Sequence, residues 1–353
     1  MHVDYLILGQ GLSGTWLSYY LLKAGQTCIV FDKEDPLASS RVAGGIINPV
    51  TGRRHAKVWM VDEVIGFADQ AYREIGACLH ETVIATKNIV DFFPSPDTKI
   101  SFEKRVAENT MYMKTYPEPE KFRDLFDYPF GWGEITPAYT VILEKLLPAW
   151  RNRLKELQIL REENLDTSKL VITENYVEYG DIRAKKIIFC NGDHAAIQPW
   201  FKALPFAPNK GQILVLDIPG LPPDRIYKKN ITLVPLDENG RWWAGSSYEW
   251  EFEHTGPTEE FRIKTEGNLK EWLKLPYTVT AHFAATRPAT LERRPFAGIH
   301  PLYPSIGILN GMGTKGCSLA PYFANQLCRH LVYGEPITPE ADVKRFTRVL
   351  SRS

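Results

Sequence analysis

The chain has 353 residues, enough for one large α/β domain or two interleaved ones. Its 42 Lys and Arg balance 42 Asp and Glu, which weighs against a dedicated nucleic-acid binder, since such proteins carry a cationic excess. No apolar run approaches the roughly 20 residues of a membrane-spanning helix, so no span is expected.

In chain order, "VDYLILG" is a short apolar strand ending in glycine. "LSGTWLSYYLLKAG" follows with helical spacing: Leu17, Tyr20, Leu21 and Ala24 share a face, and Gly25 stops it. "TCIVFD" is the second strand. This order opens a Rossmann-type unit. The first strand begins near Val3, so no signal peptide is expected ahead of it. "DEVIGFADQAYREIGACL" is an amphipathic helix. The region from 84 to 132 is less regular, with Pro94, Pro96, Pro117 and Pro119. "EITPAYTVILEKLLPAWRNRLKEL" reads as helix again, kinked or divided at Pro148. "KLVITENYVEYGDIRAKKIIFCNGD" reads as strand, turn and buried strand. "GQILVLDI" and "NITLVPLDENGRWWAGSSYEWEF" are strands, with Asn239-Gly240 as a hairpin turn. The chain closes with strand, Gly-rich turn and helix in "GILNGMGTKGCSLAPYFANQLCRHLVYG". Cys28, Cys78, Cys190, Cys317 and Cys328 are scattered with no C-x-x-C pair, which fits reduced thiols in a cytoplasmic protein. The eight histidines show no ligand-like spacing, so no metal is expected.

The first glycine cluster carries the clearest chemistry. Gly9 permits a tight turn, Gly11 a close backbone approach to a pyrophosphate, and Gly14 close packing of helix on strand. The helix N-terminus offers N–H groups and partial positive charge to phosphates. Asp32 ends the second strand, where a carboxylate accepts ribose hydroxyls and disfavours a 2′-phosphate. The motif fits NAD and FAD equally.

Three further stretches favour FAD. "LASSRVAGGIINPVTG" supplies the hydroxyls of Ser39 and Ser40, then small residues that can lie against a flat ring. "CNGD" and "NGMGTKGCSLAP" each follow a late strand. Three clusters at strand ends suit a long cofactor touched at many points.

The ordered set "GQGLSG" with Asp32, "SSRVAGGI", "CNGD", "NKGQILVL", "RWWAGSSYE", "ATRPATLERRPFAG" and "GMGTKGCSLAP" resembles the FAD-dependent D-amino acid oxidase/glycine oxidase family over most of the chain. Within it, "GMGTKGCSLAP" is most similar to the oxidase domain of the bifunctional tRNA-modifying enzyme, with Lys315 where that group usually has Arg. The resemblance implies an α/β fold: an FAD-binding, Rossmann-like domain of glutathione reductase type (1–80, 133–200 and 285–353). A substrate domain of antiparallel sheet plus helices (81–132 and 201–284) would interleave with it. It implies non-covalent FAD held by Gly9, Gly11, Leu12, Ser13, Gly14, Asp32, Lys33, Ser39, Ser40 and Arg41 along the adenosine, pyrophosphate and ribityl parts. Ala43, Gly44, Gly45 and Ile46 would flank the flavin ring. Leu165 would meet adenine. Cys190, Asn191, Gly192, Arg287, Gly311, Gly313, Thr314, Lys315 and Gly316 would complete the contacts. The substrate-carboxylate arginine of the glycine oxidase type falls on Thr314, and that of D-amino acid oxidase near Thr290.

The implied activity is oxidation of a primary or secondary amine, of amino-acid or N-substituted glycine type. Hydride passes from the α carbon to flavin N5, the imine hydrolyses, and oxygen or another acceptor takes the electrons. Alternatives are a hydroxy-acid dehydrogenase, with His282 or Tyr248 as base, and a tRNA wobble-uridine oxidase. The candidate catalytic residues are Arg287, Lys315 and Tyr248. Arg53 and Arg54 could receive an anion. Lys210 is read as supporting its strand. Trp242 and Trp243 alternate, so at most one faces the pocket.

Overall fold

In the computed structural model, which describes residues 1–52, 54–108 and 111–352, a mixed α/β fold is built around two large sheets. In the first sheet Cys28–Phe31, His2–Leu8, Ile182–Phe189 and Ile306–Asn310 lie side by side and parallel. Leu160–Arg161 extends one edge, and Phe296–Ile299 adds an antiparallel strand at the other. The register decides where function sits. Leu8 pairs with both Phe31 and Phe189, and Phe189 with Ile308, so the four strands end in one row. The glycine clusters at Gly9, Gly192 and Gly311 and the carboxylate of Asp32 all follow directly on that row. They therefore share the carboxyl edge of the sheet, where open α/β sheets bind ligands.

The second sheet is ordered Thr278–Arg287, Asn209–Asp217, Arg241–Gly245, Thr232–Pro235, Ile226–Lys228, Ile89–Phe92, Trp132–Ile135, Met113–Lys114. All neighbours are antiparallel except Ile226–Lys228 on Ile89–Phe92. A small sheet of Ile46–Ile47, Tyr139–Val141 and Ile84–Thr86 holds the segment that follows the second glycine cluster.

Helix Leu12–Lys23 packs against the first sheet and against the long helix Gly316–Tyr333. Trp16 is fully buried there, with Tyr20 stacked at 5.6 Å and Tyr72 edge-on at 4.9 Å. Burial of each such ring contributes on the order of 2–3 kcal/mol before its ordering cost. A separate aromatic core of Phe92, Phe126, Tyr128, Trp242 and Trp272 underlies the second sheet.

Two segments depart from the sequence reading. Residues 134–157 are not one helix: Trp132–Ile135 and Tyr139–Val141 are strands, and the helix is Leu143–Glu156. Pro137 and the β-branched run Thr140–Val141–Ile142 favour extended backbone. Pro148 lies inside that helix without dividing it, because Leu146, Leu147, Trp150 and Leu154 anchor both sides. The region read as irregular holds helix Pro96–Ala107. Its Ser95 cap accepts the Thr98 N–H at 3.3 Å, with Pro96 at the first position.

Candidate functional site

The carboxyl edge of the first sheet opens into two cavities, of about 460 and 860 Å³, that share Ser39, Ser40, Cys190, Gly192 and Ala285 in their walls. Together they form one long groove between the sheets.

The larger cavity holds Gly9, Gly11, Asp32, Lys33, Arg41, Leu165 and Asn191. Gly9 has φ +99°, and a Cβ on it would stand 2.7 Å from the Cys190 carbonyl. A Cβ on Gly14 would stand 1.8 Å from the Gly9 carbonyl, so Gly14 serves helix-to-strand packing and does not itself line the groove. Asp32 is tied down before any ligand arrives. The Gln10 N–H donates to its Oδ2 at 2.8 Å, and the Glu34 N–H and Arg151 Nη1 donate to Oδ1 at 2.8 Å each. Four lone-pair sites less three donors leave it acceptor capacity. Arg151, 2 % exposed, also bonds Glu162 at 3.0 Å and lies 3.1 Å from Glu34. Sequence reasoning missed Arg151; nothing marks a mid-helix arginine for this task.

The smaller cavity gathers Leu12, Ser13, Ala43, Gly44, Gly45, Ile46, Tyr248, Arg287, Gly313, Thr314, Lys315 and Gly316. Gly311, with φ +78°, packs against Thr290 behind this wall. Trp243 forms one side. Its indole N–H donates to the Val42 carbonyl at 2.9 Å, and Gly44 lies so close that a Cβ would be 2.8 Å from the ring. Trp242 points into the other core, as strand alternation requires.

Arg287 ends its strand facing Gly211, where any Cβ would meet the guanidinium. Its Nη1 donates to Asn209 Oδ1 at 2.8 Å and its Nη2 to Ser246 Oγ at 2.8 Å. Both donate to the Ser247 carbonyl at 3.2 Å. Tyr248 lies over it at 5.6 Å. Burial pulls its pKa below the usual arginine value. Lys315 is half-buried, donates to Asn48 Oδ1 at 2.7 Å, and is pushed down to about 8 by desolvation. Neither cation has an ion-paired carboxylate among the described residues. The described lining of this cavity contains no Asp, Glu or His.

Other sequence candidates lie elsewhere. His282, a candidate base, lines the larger cavity and bonds Gln212 at 3.2 Å. Thr290 is buried with its hydroxyl donated to Arg294 O. Arg54 is exposed on a turn, and Arg53 lies outside the described residues. Lys210 is buried and paired with Glu249 at 3.3 Å.

The groove fits FAD. It is long, narrows at glycines that admit no side chain, and presents buried polar atoms without a partner, Arg41 Nη2 and Asn191 Oδ1. Comparison with known proteins agrees: residues 4–329 match the family model described as FAD dependent oxidoreductase. The chain is similar in fold to glycine oxidase from Geobacillus kaustophilus, at 15% identity and TM-score 0.77 over 96% of each chain. It is similarly close to L-proline dehydrogenase from P. horikoshii, at 15% and 0.77 over 98% of each. Iminodiacetate oxidase from Chelativorans sp. BNC1 matches at 18% and 0.72, over 94% of this chain and 96% of that one.

Proposed function

The chain belongs to the FAD-dependent oxidoreductase family, and from that premise we propose that it oxidises a primary or secondary amine bearing a carboxylate, an amino acid or an N-substituted glycine. When bound, FAD supplies the hydride acceptor. The observation that carries the reading is the smaller cavity: two half-buried cations and, among its described residues, no acid or histidine. A cation without a counter-ion in a desolvated wall is a site for an anion. Loss of hydride from the α carbon of a neutral amine needs no strong protein base there, and the resulting imine is hydrolysed by water.

In this reading Arg287 holds the carboxylate, with its guanidinium fixed by Asn209, Ser246 and Ser247. Val42, Ile213, Trp243, Ala285 and Met312 keep water from the reacting carbon. Lys315, at the start of the last helix, adds positive charge to that helix N-terminus, where negative charge is favoured. The three similar enzymes are named for amines that carry a carboxylate, which supports the same class.

A second reading, oxidation of a hydroxy acid, requires a base. Lys315, held near 8, is the group in the described lining able to take that proton at mild pH. A tRNA substrate fits less well, because exposed Glu251 and Glu253 stand on the segment that borders the mouth.

The test is the visible spectrum of the purified protein, then anaerobic addition of glycine, N-methylglycine, D-amino acids, proline, carboxymethylaminomethyl-uridine and 2-hydroxy acids. Bleaching of the flavin band near ~450 nm by an amine supports the proposal. Bleaching by hydroxy acids alone replaces it with the second reading.

A further inference from the structure

We propose that Glu249 is a positioning residue for the anion site: it fixes Arg287 through Ser247, and in doing so pins one segment, residues 246–257, over both cavities of the groove. This rests on the reading of Arg287 as the carboxylate anchor.

Ser246 and Tyr248 line the smaller cavity, while Thr255, Gly256 and Pro257 line the larger, so a single loop reaches both. It is attached to strand Asn209–Asp217 at Ser247, whose N–H donates to the Gln212 carbonyl at 3.2 Å and whose Oγ accepts the Gln212 N–H at 2.9 Å, and at Glu249. The Glu249 backbone exchanges hydrogen bonds with Lys210, N–H to carbonyl at 3.0 Å and the reverse at 2.9 Å. Its carboxylate accepts from Gln212 Nε2 at 2.8 Å and from the Ser247 hydroxyl, and lies 3.3 Å from the Lys210 ammonium. Lys210 is fully buried and its Nζ also donates to His254 O at 3.1 Å, further along the loop. Gln212 then takes the Thr258 N–H at 2.7 Å, closing the far end. Burial alone would raise the Glu249 pKa, but the bonds from Ser247, Gln212 and Lys210 hold it below the usual value, so it stays a carboxylate.

The chain of contacts ends at the anchor. Ser247 gives its hydroxyl to Glu249, while its carbonyl accepts both Nη groups of Arg287. Because the Ser247 carbonyl and the Ser246 hydroxyl account for three of the four bonds on those groups, the loop's position is the guanidinium's position. Glu249 does not line the smaller cavity; it reaches Arg287 through Ser247 and through its own charge.

The experiment measures binding of acetate and propionate to the holoenzyme by perturbation of the flavin spectrum, for the wild type, Glu249→Ala, and Glu249→Gln combined with Lys210→Met. The Gln/Met pair keeps an oxygen for the Ser247 hydroxyl and removes the buried ammonium that Gln would strand. Glu249→Ala is expected to weaken both acids 10- to 100-fold, and the Gln/Met pair to return most of that affinity. In parallel, the rate at which an arginine-specific dicarbonyl reagent modifies Arg287, followed by mass spectrometry, is expected to rise several-fold in Glu249→Ala alone. Wild-type affinity and an unchanged modification rate in Glu249→Ala overturn the proposal and leave the substrate reading intact. If the wild type binds neither acid, the substrate reading fails and this one with it. A Glu249→Ala protein that melts early but binds both acids normally also overturns it, by showing that the contact is structural only.

Discussion

The Lys315 ammonium donates to the side-chain oxygen of Asn48 at 2.7 Å, a contact between residues 267 positions apart that sets a cation beside a neutral amide in the wall of the smaller cavity. Desolvation with no counter-ion, reinforced by the Lys228 charge, lowers its pKa to about 8. Only the protonated amine attracts an anion. Carboxylate affinity should therefore be greatest below pH 8 and fall as the pH rises through it. Lys315→Met should flatten that profile. Titration of acetate binding between pH 6.5 and 9.5 checks this, and identical slopes in the two proteins would remove Lys315 from the anion site.

The same shift has a stability consequence. The folded-state value lies below the unfolded lysine value of 10.5, so the unfolded chain holds the extra proton between about 8 and 10.5. The cost of burying the charge is present in full below 8 and is relieved as the pH rises across that window. Lys315→Met should raise the melting temperature of the apoprotein most at neutral pH and least near pH 10, as calorimetry would show.

Arg287→Met should raise KM for a carboxylate-bearing amine by about two to three orders of magnitude, in line with removal of one member of a desolvated charge pair. Arg287→Lys should recover only part, since an ammonium cannot span Asn209, Ser246 and Ser247 at once. Equal loss for neutral and anionic amines would show that the arginine only supports the strand.

Gly14→Ala places a methyl 1.8 Å from the Gly9 carbonyl, so the helix must separate from the strand. The expected product is a folded but colourless protein. Overpacking of this kind costs about 1–3 kcal/mol. Flavin content after gel filtration reads the outcome, and a fully yellow variant would contradict the packing argument.

Trp243→Phe keeps a ring against Gly44 but loses the bond to the Val42 carbonyl, worth about 1 kcal/mol. The segment 42–45 should loosen, with faster cofactor dissociation and little change in melting temperature. Stopped-flow or dialysis rates distinguish this from an unaltered site.

The parts of the site that sequence reveals are those with backbone requirements. Gly9, Gly14 and Gly45 stand where any side chain meets a carbonyl, and that leaves a visible spacing. Asp32 and Lys315 stand out as charges beside glycine turns, and Arg287 as a charge at a strand end. Arg151, Asn48 and Asn209 were not legible, because each meets its partner 78 or more residues away and its own neighbourhood is ordinary helix, strand or loop, and Glu249 was not, because it stands in a loop among other acids. The helix at Pro96 was missed although Ser95-Pro96-Asp97 is a cap signal, its apolar stripe being interrupted by charge. The strands at 132–141 were misread because a helical period continues through them by accident of Ile135, Tyr139 and Ile142.

Early and late segments meet beside the groove, since helix Gly316–Tyr333 lies on helix Leu12–Lys23 and strand Ile306–Asn310 pairs with Ile187–Phe189. Synthesis runs from the first glycine turn to the last, so the strand that precedes Gly9 emerges well before Ile306–Asn310. A polypeptide that stops short of Ile306 would therefore leave the apolar Ile187–Phe189 edge unpaired and open to aggregation.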